Sequence, residues 1–178
     1  LAAANGMVLS ALSRAPLVQQ RYREAAEEVH DYLLSLWDGQ TLWRMRDDSG
    51  QAVRHGGLED YAAVAQGLID WAAVSGDEPS RELAAELIAT AHETFWRDGR
   101  WRLAALTPPR ALLADEVTTS PAMRLLYANG ELGEEAPLDE GKVRAILLAA
   151  PSQLMAQPLV HGSYLQALRS LHATGSGR

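Results

Sequence analysis

The sequence predicts an all-α protein assembled from helical hairpins, and three observations carry that prediction. Alanine and leucine are the commonest residues while β-branched residues are sparse, a composition that favours helices. Apolar residues recur at the three- and four-residue spacing of amphipathic helices along most of the chain. A short element built on Asp-Gly and flanking tryptophans occurs twice, about sixty residues apart. That interval accommodates two helices and a connecting hairpin.

The repeated element spans Leu36–Arg44 in its first copy and Phe95–Arg102 in its second. Each copy follows a helical pattern, passes through Asp-Gly and closes in Trp-Arg. Asp-Gly between apolar runs is typical of a tight turn, because glycine adopts positive φ without a steric clash. The repeat therefore predicts successive helical hairpins, in which the tryptophans pack each turn against its helix.

The elements follow in order from periodicity and from helix breakers. The first predicted strand, Thr41–Arg46, pairs with Gln51–Arg54 across a polar turn. Ser80 is the predicted N-cap of the fourth helix, and Ser120-Pro121 opens the fifth with proline at its first position. The predicted helices are Met7–Leu12, ended by Pro16, then Leu17–Trp37, Leu58–Ser75, Arg81–Trp96, Pro121 to just before Asn129, Leu138–Ala150 and Pro158–Ala173. One domain is expected over residues 1–173, with a disordered tail at 174–178.

Composition excludes several classes of function. The net charge of -7 and the absence of a basic run argue against a nucleic-acid partner. No apolar run reaches the roughly twenty residues of a membrane-spanning helix, and no signal peptide is recognisable. Without cysteine there is no disulfide or thiolate chemistry. The histidines lack metal-ligand spacing, so we expect no metal. We also expect no cofactor and a cytoplasmic location.

Several segments together resemble a known family. They lie in the family's order, and they are Asn5–Val8, Tyr22–Ala26, Asp38–Arg46, Gly56–Ala62 (Gly-Gly-Leu-Glu-Asp-Tyr-Ala), Gly67–Asp70 and Phe95–Trp96. This set is similar to the C-terminal part of thioredoxin domain-containing or spermatogenesis-associated-like proteins. In two places the chain departs from the family. Ala4 stands where the family has tryptophan, and the region from Asp115 to Met123 lacks the family's Gly-Asn element.

The resemblance implies a partial (α/α)₆ toroid with two short β-hairpins, similar to six-hairpin glycosidases and N-acylglucosamine 2-epimerases. A saccharide is the implied ligand. About seven helices cannot close a twelve-helix ring, and the chain has no initiator methionine. We therefore expect a fragment of a longer protein, completed by an N-terminal half or by a second copy.

Candidate site residues follow from the resemblance, which places loops and helix starts at the mouth of a central funnel. Asp60, Glu59 and His55 are the candidate catalytic residues, two carboxylates and a proton shuttle for sugar chemistry. Acidic residues in a first turn also cap helices and stabilise the helix dipole, an alternative that stays open for Glu59 and Asp60. The candidate substrate-binding residues are Tyr61, Asn5 and Asp115.

Two functions are consistent with these residues. The first is a carbohydrate-active or carbohydrate-binding domain, favoured by the preserved Leu58–Tyr61 segment. The second is a non-catalytic interaction or remnant domain, favoured by the missing Gly-Asn element.

Overall fold

The computed structural model describes residues 1–14, 20–111, 113–116 and 118–175, and it is mainly helical with two short antiparallel strand pairs. The all-α prediction is confirmed at that level. The first strand pair is β1 (Trp43–Arg46) with β2 (Ala52–His55), and the second is β3 (Trp96–Arg97) with β4 (Arg100–Trp101). The helices are α1 Ala2–Arg14, α2 Gln20–Leu34, α3 Leu58–Ser75, α4 Glu78–Phe95, α5 Pro121–Glu131, α6 Glu140–Leu147, α7 Pro151–Ala156 and α8 Gly162–Gly175.

The predicted elements are recovered with local differences. Helix α3 has the predicted ends, and Ser120 caps α5 as expected by accepting a hydrogen bond from the backbone N–H of Met123. The N-cap assigned to Ser80 is wrong, because α4 already begins at Glu78 behind Asp77. Pro79 is tolerated there, since the first turn needs no intrahelical N–H from it. Helix α7 was not predicted. The predicted boundary at Pro16–Leu17 and residues 176–178 of the predicted tail lie outside the described residues.

Helices α1 and α3 run parallel and touch backbone to backbone. The start of α1 meets the start of α3, where the N–H of Ala3 donates to Asp60, and the later turns meet where Ser10 donates to Asp70. The crossing point is Gly6 against Gly67. A Cβ built on Gly67 would lie 2.6 Å from the carbonyl oxygen of Gly6, so only glycine permits this approach.

Helix α3 is the centre of the core and is buried along most of its length. Helix α4 returns antiparallel after Gly76, whose positive φ of 75° ends α3 in the left-handed conformation. At the start of α4, Arg81 donates to the backbone carbonyl of Leu132, just past the end of α5. Helix α5 therefore runs antiparallel to α4 and parallel to α3.

The two copies of the repeated element, the elbows Leu36–Arg44 and Phe95–Arg102, close with equivalent hydrogen bonds, in a register that the sequence motif does not show. Leu36 accepts a hydrogen bond from the N–H of Trp43 at 2.9 Å, and Phe95 accepts the equivalent bond from Arg102 at 2.9 Å. This register aligns Leu42, rather than Trp43, with Trp101, and both Leu42 and Trp101 have no exposed surface. Burial at the closing position therefore defines the repeat, while the Trp-Arg match is offset by one residue.

The last helices close one end of the molecule. The buried amide of Asn129 donates to the carbonyl of Leu138 and accepts from its N–H, which fixes the connection between α5 and α6. Helix α8 packs against α5 and α6. Among the described residues, no helix combines the length and the apolar character needed to cross a bilayer.

Candidate functional site

Both carboxylate oxygens of Asp60 accept backbone hydrogen bonds. Its side chain is 2% exposed, one carboxylate oxygen accepts the N–H of Ala3 at 3.0 Å, and the other accepts the N–H of Gly57 at 2.9 Å. The Arg44 guanidinium lies 4.0 Å away. These bonds cap the start of α3 and dock α1 onto it. The geometry therefore favours capping over acid-base chemistry, and the catalytic assignment stays a prediction.

Glu59 and His55 do not converge with Asp60 on one cavity. Glu59 is exposed on the first turn of α3 and lines a small cavity together with Pro121 at the start of α5. His55, at the end of β2, is exposed and packs edge-on against the ring of Trp43, with centroids 4.8 Å apart. The helix places adjacent carboxylates about 100° apart, so one is buried while the other faces outward.

Tyr61 and Asn5, predicted to bind substrate, make local contacts. Tyr61 is 4% exposed, and its hydroxyl accepts the N–H of Leu42 at 2.9 Å, which anchors the first elbow to α3. Burial raises the pKa of the Tyr61 hydroxyl. The amide of Asn5 donates to the carbonyl of Leu1 at 2.9 Å. Their binding roles stay predictions.

Asp115 joins the loop before α5 to the start of α8. One carboxylate oxygen accepts from the N–H of Ser120 at 2.8 Å and from the Ser163 hydroxyl at 2.6 Å, and the other accepts the N–H of Ser163 at 2.8 Å. Burial raises the pKa of Asp115, but these hydrogen bonds together hold it below its ordinary value. Asp115 thus links two segments that are distant in sequence.

A cavity of about 430 Å³ lies on the side of the molecule where α1, α3, α5 and α8 meet. That volume falls within the range of small-molecule sites in proteins. Every side chain that lines it can form hydrogen bonds. They are Ser10 and Arg14 of α1, Gln66 of α3, Thr119 before α5, Arg124, Tyr127 and Glu131 of α5, and Gln166 of α8.

A polar network supports one wall of this cavity. The Arg14 guanidinium lies 2.7 Å from Asp70, which is 7% exposed, and 3.3 Å from Glu131. The Gln66 amide donates to Glu131 at 2.7 Å and to Asp70 at 3.3 Å. Hydrogen bonding to Asp70 raises the pKa of Arg14. Each carboxylate therefore has a donor on both oxygens, since Ser10 serves the second oxygen of Asp70.

Arg124 differs from these residues. Its side chain is partly buried, and it forms no hydrogen bond or ion pair with any residue in the described part of the chain. Burial lowers the pKa of Arg124, while the charge of Glu59 opposes that change. A guanidinium carries five N–H donors, so the cavity presents a positive group whose donors have no acceptor among the described residues.

A smaller cavity of about 150 Å³ adjoins the first one. Thr119 lines both, and the smaller cavity adds Glu59, Arg110 and the loop around Leu113. The two cavities meet at Thr119 beside the start of α5, and we call them together the groove. Of the candidate residues predicted from sequence, Glu59 alone contributes a side chain to its lining.

Sequence reasoning missed the residues of the larger cavity. The signal was present, because Gln66 and Asp70 interrupt the apolar face of α3 one helical turn apart, and Arg124 interrupts the apolar start of α5. Such residues are ordinarily solvent-facing, and only the neighbouring helices show that they meet.

The fold and the site define a mainly helical protein with a polar groove at the meeting point of four helices. In the described part of the chain, no group of three or more His, Asp and Glu side chains is placed to hold a metal ion. No protein-family model, curated protein or solved structure matches this chain.

Proposed function

We propose that this protein is a carbohydrate-binding domain whose ligand occupies the groove past the start of α5. The observation that carries the proposal is the lining of the larger cavity, in which all eight side chains are able to form hydrogen bonds. Ligand pockets are ordinarily mostly apolar with a few polar groups. A lining made of polar side chains suits a ligand that carries hydroxyl groups around its perimeter, as a saccharide does.

The side chains in the groove offer the chemistry that sugars require. Arg124 supplies donors, the hydroxyl of Thr119 can donate or accept, and Tyr127 adds an aromatic ring beside them. Binding is the proposed activity. An enzymatic role would need Glu59 to act in the smaller cavity, because Asp60 is buried and each of its oxygens accepts a backbone hydrogen bond.

The proposed architecture is part of an (α/α)₆ toroid, as the family resemblance implies. Support comes from α1, α3 and α5, which run parallel as neighbours while α2 packs on α1 and α4 on α3. In such a ring the groove would face the central funnel. A cytoplasmic location belongs to the same proposal, and so does a second copy or a missing half that completes the ring.

Calorimetric titration with neutral mono- and disaccharides tests the binding proposal. The informative variant is Thr119→Trp, because Thr119 lines both cavities and a large side chain there fills the groove. Gln51→Trp, on the exposed turn between β1 and β2, is the matched control. We expect millimolar binding in wild type and the control, and binding at least about tenfold weaker in Thr119→Trp. No saccharide binding at millimolar concentration, or unchanged binding in Thr119→Trp, contradicts the proposal.

A second candidate is an interaction domain, favoured by large apolar side chains that face solvent. Leu106 is 99% exposed, Leu159 is 96% exposed and Met155 is 77% exposed. Exposed apolar side chains of this kind mark protein-binding surfaces when they are contiguous. Light scattering on wild type and on Met155→Ser/Leu159→Ser tests this candidate. Self-association that the double substitution abolishes supports it, whereas a wild-type monomer at all concentrations contradicts a second copy as partner.

A further inference from the structure

We infer that the groove is built for a ligand with a negatively charged group, which the Arg124 guanidinium binds inside the larger cavity. The inference rests on the proposed function and narrows it to acidic saccharides, with a carboxylate or a phosphate as the charged group. It depends on one contrast within the cavity, between charged groups that have partners and one that has none.

Three of the four charged groups around the cavity, one positive and two negative, pair with one another. Arg14 lies between Asp70 and Glu131, and Gln66 completes the coordination of both carboxylates. This leaves the cluster of Arg14, Asp70 and Glu131 with its oxygen atoms occupied. An incoming cation would compete with bonds already made, so the cluster is a rigid wall of the site.

Arg124 is the charged group that remains available. It lies on α5 and lines the larger cavity, and no described residue accepts a hydrogen bond from its side chain. Glu59 acts on it through its charge alone, from the first turn of α3. Removing a guanidinium partly from water without a partner is unfavourable. A carboxylate or phosphate oxygen pair matches its fork of donors and supplies the missing acceptors.

The net charge of the whole chain does not favour the binding of anions at its surface. A protein with net charge -7 repels anions in general, so surface attraction does not concentrate them. Anion binding by this chain therefore requires a local site, and the response of binding to a single arginine can be measured against a low background.

The test is calorimetry with four probes, namely glucose, glucuronate, glucose 6-phosphate and inorganic phosphate, at one fixed low ionic strength. Three variants are compared with wild type. Arg124→Gln removes the positive charge. Arg124→Lys keeps the charge but lacks the paired N–H donors of a guanidinium. Arg144→Gln is the matched control on the exposed side of α6. Thermal unfolding of each variant verifies that the chain remains folded.

We expect wild type and Arg144→Gln to bind at least one acidic sugar about tenfold or more tighter than glucose, since hydrogen bonds to charged groups are the strong ones. Arg124→Gln should abolish that preference, and Arg124→Lys should keep part of it. A preference for glucuronate alone identifies a carboxylate ligand, and a preference for glucose 6-phosphate alone identifies a phosphate ligand.

The outcomes separate this inference from the proposed function. Equal binding of glucose and the acidic sugars, or an acid preference that survives in Arg124→Gln, overturns the anion site and leaves saccharide binding in place. Phosphate binding that depends on Arg124, with no sugar bound more tightly than inorganic phosphate, supports the anion site and overturns the saccharide proposal. Absence of binding by all four probes overturns both.

Discussion

The contact between Gly6 and Gly67 gives the sharpest test of how this chain packs. Both glycines lie inside helices, where alanine is favoured over glycine by about 1 kcal/mol when nothing else changes. At Gly67 an added methyl group would lie 2.6 Å from the carbonyl oxygen of Gly6, and at Gly6 it would lie 2.5 Å from the backbone of Ala63. Backbone cannot rotate away, so α1 and α3 must separate to admit either methyl group.

The expected magnitude follows from these opposing effects. Overpacking a tight contact costs about 1–3 kcal/mol, and the backbone obstacle places Gly67→Ala at the upper end, so after the helical gain the net loss is about 2 kcal/mol. Gly130→Ala is the matched control, because Gly130 is an exposed helical glycine with open space around its Cβ direction. That control should gain up to about 1 kcal/mol.

The measurement is thermal or urea unfolding of both variants. A gap of about 3 kcal/mol between them corresponds to a difference of about 6–12 °C in Tm for a chain of this size. The double variant Gly6→Ala/Gly67→Ala should lose less than the sum of the two single losses, since the first methyl group already opens the contact. If Gly67→Ala unfolds at or above the wild-type temperature, the close approach of α1 and α3 is not present in solution.

Two further predictions concern carboxylates that the structure assigns to backbone. Asp60→Asn should lower the free energy of unfolding by about 2 kcal/mol, because the NH₂ group of asparagine replaces one of two oxygens that accept backbone N–H donors. Denaturant unfolding measures this loss. An unchanged midpoint would contradict the capping role. Saccharide affinity, measured on the folded variant, should stay at the wild-type value, since the side chain is buried. Asp115 has a pKa below its unfolded value of about 3.9, so its contribution to stability is present above that pH and is lost as pH falls through the folded pKa. The urea midpoints of wild type and Asp115→Asn should therefore differ at pH 7, and the difference should narrow below about pH 4. A difference independent of pH would rule out a stabilising role for the charge of Asp115.

The candidate site was only partly predictable, for a reason visible in individual residues. Asp60 stood out because it belongs to a compact motif at a helix start, yet such motifs serve capping as readily as chemistry. Its partner on α1, Ala3, is distant in sequence and carries no pattern of its own. In the same helix, Asp70 was named only as the end of the Gly67–Asp70 segment, and Gln66 was not singled out. Contacts with Arg14 and Glu131 place both residues in one wall of the larger cavity.

The sequence by itself determined the helical class, the ends of α3, the capped start of α5 and the two Asp-Gly elbows. All of these depend on contacts among residues close along the chain, where periodicity and backbone preference decide the outcome. Only the tertiary structure decided the register of the elbows, which follows the burial of Leu42 and Trp101 rather than the Trp-Arg pair that the two sequence segments share. It also decided the groove, because the charges of α1, α3 and α5 are paired or left unpaired only once those helices lie side by side.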